Sequence, residues 1–66
     1  MRANGAKIAE LRKTHGLSTI DLAGAADRTQ RWVQLVEKGK VVDINLNIAK
    51  ALARRLGVKL EEIAKA

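Results

Sequence analysis

Residues 16–40, GLSTIDLAGAADRTQRWVQLVEKGK, decide the fold. Ser18 followed three positions later by Asp21 makes a capping-box pattern, in which hydroxyl and carboxylate satisfy amides that a helix start leaves unpaired. Leu17 and Leu22 then stand at the two positions of a hydrophobic staple across that start. The spacing predicts a helix from Ser18 to Ala25 or Ala26. Thr29 is placed to cap a second helix that runs to Glu37 or Lys38 and stops at Gly39. The two caps leave about three residues for the turn, which is the connection of a helix-turn-helix unit spanning roughly 18–38.

A helical wheel of the second of these helices separates its sides. Thr29, Val33 and Val36 fall together and are expected to face inward. Arg31, Gln34, Leu35 and Lys38 point away from them, with Gln30 and Trp32 at the edges. A DNA major groove admits one α-helix. There Gln and Arg can make paired hydrogen bonds to adenine and guanine edges, and an apolar side chain can meet a thymine methyl. Base contacts come chiefly from the N-terminal part of such a helix. Gln30, Arg31 and Gln34 are therefore the candidate base readers, with Leu35 as an apolar contact. The plain alternative is a wet surface helix that carries Gln and Arg for solubility. The capped preceding helix and the short turn favour DNA.

Outside this segment, apolar residues recur at three- and four-residue spacings and no alternating strand pattern occurs. A first helix is predicted over about Gly5–Thr14, capped by Asn4, with Ile8 and Leu11 inward and Gly16 just past its end. After Val42, Asp43 is placed to cap a fourth helix with Ile44, Ile48, Leu52 and Leu56 at four-residue steps, ended by Gly57. A short fifth helix with Leu60 and Ile63 inward closes the chain. The expected fold is all-α, a bundle of about five short helices forming one domain over residues 1–66.

Two charges occupy positions where the wheels call for apolar residues. Arg12 lies four residues after Ile8, and Glu37 four after Val33. An isolated buried charge is too costly to keep, so each requires a partner, and the simplest assignment pairs them. Such a pair would clamp the first helix to the end of the third, as structure rather than chemistry.

Composition narrows the function further. With 66 residues the chain has one modest core, and a domain this small rarely holds more than ~3–5 kcal/mol of stability. There is no cysteine, and His15 is the only histidine, so no cluster has metal-ligand spacing. Asp27, Glu37 and His15 form no recognisable acid–base set, and no Gly-rich phosphate cradle is present. No enzymatic activity, metal or cofactor is expected. Without a run of ~18 apolar residues nothing spans a membrane, and no helix pairs a continuous basic face with bulky aromatics for a membrane surface. The residues after Met1 lack the apolar block of a signal peptide, so the expectation is a cytoplasmic protein. A net charge of +6 and a pI near 10.4 attract polyanions, nucleic acid first among them. Backbone amides near Ser18 and Thr19 form an anion site at a helix start. Lys38 and Lys40 beyond the reading helix, Arg28 in the turn and the Trp32 indole N–H are the other candidate phosphate contacts. For Trp32 the favoured reading is cover for the helix junction, because the sole aromatic in a small domain is usually core or half-core.

The run Gly16-Leu17-Ser18, Leu22-Ala23, Thr29, Val33 and Val36-Glu37-Lys38-Gly39-Lys40 resembles the lambda-repressor-like, Cro-type (XRE) helix-turn-helix family. Residues 52–60, LARRLGVKL, look like that family's fourth helix and the turn after it. The resemblance implies a five-helix fold on operator DNA, with base contacts on Gln30, Arg31 and Leu35 and a structural Arg–Glu pair on Arg12 and Glu37. Three departures stand out. Thr19 replaces a frequent Gln, Lys59 a small capping residue, and Val41-Val42 a loop that is usually polar or Pro-containing. These valines are expected either in the core or on a self-association surface.

Together these features predict a minimal sequence-specific transcriptional regulator, most simply a phage Cro-like repressor. It would be a monomer or weak dimer in solution, with two copies pairing on half-sites. One alternative is an antitoxin that represses its own promoter while another surface holds a toxin. A second is a basic helical protein-interaction module with no sequence preference for DNA.

Overall fold

Four α-helices and a final 3-10 turn follow one another: α1 Gly5–Thr14, α2 Thr19–Ala26, α3 Gln30–Glu37, α4 Leu46–Leu56 and the turn Leu60–Glu62. The computed structural model describes residues 1–65. Every α-helix starts at a side-chain cap. Asn4 Oδ1 accepts from Lys7 N–H at 3.1 Å. Ser18 Oγ accepts from Asp21 N–H at 3.0 Å, while Asp21 Oδ2 accepts from Ser18 N–H at 2.8 Å. Thr29 Oγ1 accepts from Trp32 N–H at 3.1 Å, and Asn45 Oδ1 from Asn47 N–H at 2.7 Å.

Helix ends are equally uniform. At each, the residue that follows a left-handed one donates back across it: Leu17 to Arg12 O, Arg28 to Ala23 O, Lys40 to Leu35 O and Val58 to Ala53 O, all at 2.8–3.0 Å. This closure satisfies carbonyls that would otherwise be orphaned. The left-handed residue is glycine in α1, α3 and α4, but Asp27 (φ 54°) in the helix-turn-helix turn. Asp tolerates that conformation better than most side chains.

The core is one cluster. Ile8, Leu22, Val33, Val36, Leu52, Leu56 and Ile63 are essentially sealed from solvent, and Ala23, Ala26, Ala49 and Ala53 are buried with them. α2 is the hub: it packs on α3 and on α4, while α1 packs on α3 and the 3-10 turn on α4. Leu17 is half-buried against the core, and Leu22 is part of that core. Gly5 lies where α1 meets the end of α3, and a Cβ there would stand 2.0 Å from Val36 O.

Several sequence expectations are corrected. Asp43 does not cap α4; Asn45 does, and the helix starts at Leu46. The cause is pairing outside the helices. Residues 1–4 lie extended between the α3–α4 connection and the C-terminal segment, with antiparallel bridges Arg2–Asp43 and Ala3–Ala64. This pairing holds Asp43 and Ile44 extended and delays the helix. Ile44 is nevertheless buried, and Ile48 only half-buried. The expected fifth helix is the single 3-10 turn, where Lys59 gives no side-chain cap and only Glu62 reaches back to its N–H at 2.9 Å. Thr29 is exposed rather than inward, because its extended backbone (φ −82°, ψ 158°) turns the side chain to the helix end. Val41 and Val42 are both half-buried, Val41 against the core.

Candidate nucleic-acid interface

The inner stripe of α3 is Val33 and Val36, both buried, and this orientation dictates what the outer side shows. Gln30, Arg31, Gln34 and Lys38 are exposed. Gln30, Gln34 and Lys38 succeed one another at four-residue steps and so form one row along the helix, with Arg31 beside it. Leu35 is half-buried at the margin, less outward than the wheel places it. Its carbonyl accepts from both Lys40 N–H (2.8 Å) and Val41 N–H (3.2 Å), anchoring the start of the connection to α4.

The starts of α2 and α3 are tied directly. Gln30 Nε2 donates to Thr19 Oγ1 at 2.9 Å, joining the first residues of the two helices. Sequence reading placed both residues at the interface but missed this bond. A signal was available: each is polar and follows directly on the N-cap of its helix. The bond leaves the Gln30 carbonyl oxygen and one amide hydrogen free, and leaves the Thr19 hydroxyl hydrogen free to donate. The backbone and side-chain hydrogen bonds to Ser18, helped by the charge of Arg55, hold Asp21 below the ordinary carboxylate range.

The angle of α3 is set from behind by an ion pair. Arg12 Nε donates to Glu37 Oε2 at 2.7 Å and Nη2 to Oε1 at 3.1 Å, while Nη1 donates to Leu17 O at 2.9 Å. One guanidinium from α1 thereby holds the last residue of α3 and the residue just before the α2 cap. Both side chains are nearly enclosed, at 14% and 11% exposure. The hydrogen bond to Glu37 raises the Arg12 pKa further, against the opposing effect of burial, so the guanidinium stays charged.

The remaining candidates divide. Arg28 in the turn, Lys38 and Lys40 are exposed and free to reach a backbone. Trp32 is half-buried against the core, so its ring already has a packing role. Among the described residues no group of His, Cys, Asp and Glu could hold a metal ion, and no helix is long and apolar enough to cross a membrane.

Two capped helices at a fixed angle, with a polar face on the second, define a helix-turn-helix domain. The chain belongs to that family, whose model matches residues 5–66, and within it to the XRE/Cro-like type. Among solved structures it is similar to the restriction-modification controller protein C.AhdI from Aeromonas hydrophila. The two share 31% sequence identity and a TM-score of 0.79 over 88% of this chain and 86% of that one. No curated protein sequence gives a match.

Proposed function

We propose that this chain is a sequence-specific double-stranded DNA-binding transcriptional regulator that reads operator half-sites with α3. The observation that carries it is the outer face of α3. Gln30, Arg31 and Gln34 are solvent-exposed on a helix whose opposite face is sealed into the core, and Gln30 is held to Thr19 at the start of α2. An amide already using one hydrogen on Thr19 keeps an acceptor oxygen and a donor hydrogen, the pair that matches an adenine edge. Arg31 matches a guanine edge. The Ser18 and Thr19 hydroxyls, Arg28, Lys38 and Lys40 flank these readers and serve the phosphates. The chain measures 25 Å in its longest dimension, less than the ~34 Å separating successive half-sites, so two copies share one operator.

Occupying an operator against polymerase makes a Cro-like repressor the simplest mode of action. The similarity to a restriction-modification controller protein over nearly the whole of both chains favours a second reading, in which the regulated genes belong to such a system. Selection from random duplexes tests the common part. It should return a sequence made of two related half-sites. On that operator Arg31→Ala should cost ~1–3 kcal/mol and relax one base position, whereas Lys40→Ala should weaken all duplexes alike and reduce the salt slope by about 1. If selection returns no motif, or the two variants behave alike, the reading of α3 fails.

A further inference from the structure

The connection from α3 to α4, residues 38–45, carries Lys38 and Lys40, yet the helices on either side of it pack on α2 rather than closely on each other. Backbone hydrogen bonds fix its course instead. Near α3, the two amides of Lys40 and Val41 close on Leu35 O. Farther along, the chain's first residues take over. Ala3 N–H donates to Val42 O at 2.7 Å, and Ile44 N–H donates to Met1 O at 2.9 Å. Residues 1–4 are themselves held along their other edge, where Asn4 N–H donates to Ile63 O at 2.8 Å and Lys65 N–H to Arg2 O at 2.9 Å. Ala3, Ile44 and Ile63, one from each of the three segments, are buried. A two-stranded ribbon alone is marginal in water, whereas a third segment with a buried face makes a stable unit.

We propose that residues 1–3 are positioning residues for DNA binding. By fixing the backbone of Val42–Ile44 they order the part of the connection that runs from Lys40 into α4, so that the loop cation meets phosphate while α3 reads bases. This inference rests on the duplex reading proposed above. The first residues need not touch DNA for this. Their effect is to order the connection before binding, so that binding does not have to. The contribution is independent of base sequence, because what it positions is a phosphate contact.

Ala3→Pro removes the N–H that Val42 O accepts. Ala3 is buried, so the ring needs room, and the deciding variant replaces Ala3 by lactic acid in a chemically synthesised chain, exchanging one amide for an ester, which deletes that hydrogen and weakens the Arg2 carbonyl that Lys65 N–H uses on the other edge. Measurements at 10 °C keep the helices formed, as circular dichroism will show. The Ile44 amide should exchange at least tenfold faster. Affinity for the selected operator and for a scrambled duplex should fall by the same three- to tenfold, with a salt slope smaller by about 1. In a Lys40→Ala background the ester should change the slope no further. Faster Ile44 exchange with unchanged affinity and slope overturns the inference, as does a loss confined to the operator. If the natural chain binds neither duplex, the duplex reading falls and takes this inference with it.

Discussion

Glu37→Ala tests the scaffold behind α3. Glu37 accepts two hydrogen bonds from Arg12, at 2.7 and 3.1 Å, in a site where only 14% of the arginine and 11% of the glutamate side chain remain exposed. Removing the carboxylate leaves the guanidinium with one protein acceptor, Leu17 O at 2.9 Å, and little water. Breaking an enclosed pair by deleting one partner typically costs ~3–5 kcal/mol. The bond to Leu17 and the remaining exposure lower this to about 2–4 kcal/mol. A domain of this size holds only ~3–5 kcal/mol, so the variant should be close to its unfolding midpoint at room temperature. At ~4–8 °C per kcal/mol, its melting temperature should fall by at least about 8 °C.

Urea titration followed by Trp32 fluorescence suits the measurement, because this single tryptophan is half-buried on α3. A companion separates the lost interaction from the stranded charge. Arg12→Met with Glu37→Leu removes both partners and should recover most of the loss, since apolar replacements of an enclosed pair are often neutral or better. An unfolding free energy for Glu37→Ala within 0.5 kcal/mol of the natural chain would refute the reasoning, as would a double variant no more stable than the single one.

Two glycines should respond with opposite signs. Gly24→Ala lies inside α2 with nothing within 4 Å of a new Cβ, so it should gain roughly 0.5–1 kcal/mol from helix propensity. Gly5→Ala would set its Cβ 2.0 Å from Val36 O, force α1 off α3 and cost about 1–3 kcal/mol, so thermal melts of the two variants should move in opposite directions. Acid should weaken the α2 cap in a defined window. Asp21 is held below the ordinary carboxylate range chiefly by the Ser18 backbone N–H, so its contribution is full above the unfolded value near ~3.9 and is lost as pH falls through the lower folded one. Urea midpoints measured through that window should fall less steeply with acid in Asp21→Asn than in the natural chain.

What the sequence made legible was whatever is encoded within a few neighbouring residues. Ser18 with Asp21, Asn4, Thr29 and the glycines after α1, α3 and α4 are local signals, and the helices they bound lie where those signals place them. The Arg12–Glu37 contact was accessible too, because two charges on apolar stripes leave few ways to be satisfied. The extended pairing of residues 1–4 was not accessible. It uses backbone N–H and C=O groups, which every residue except proline carries alike, so side chains hardly advertise it. That omission explains the misplaced start of α4. Asp43 and Asn45 are both capping residues two positions apart, and the choice between them is made by the pairing with Arg2. The last helix failed for a different reason: Leu60 and Ile63 three residues apart fit a 3-10 turn as well as an α-helix.

The division between scaffold and readers bears on how such a domain changes target. Arg12, Glu37, Leu22, Val33 and Val36 fix the angle between α2 and α3 and are enclosed, so alterations there fall on stability. Arg31 and Gln34 are exposed, and none of the side-chain hydrogen bonds or ion pairs within the described residues involves either of them. Surface substitutions of that kind usually shift stability by no more than ~0.5 kcal/mol. Gln30 differs, because its amide is committed to Thr19, and altering either residue changes what the other presents. On the proposed reading of α3, sequence preference is therefore free to drift at Arg31 and Gln34 one residue at a time, whereas at Gln30 it must move together with the first residue of α2.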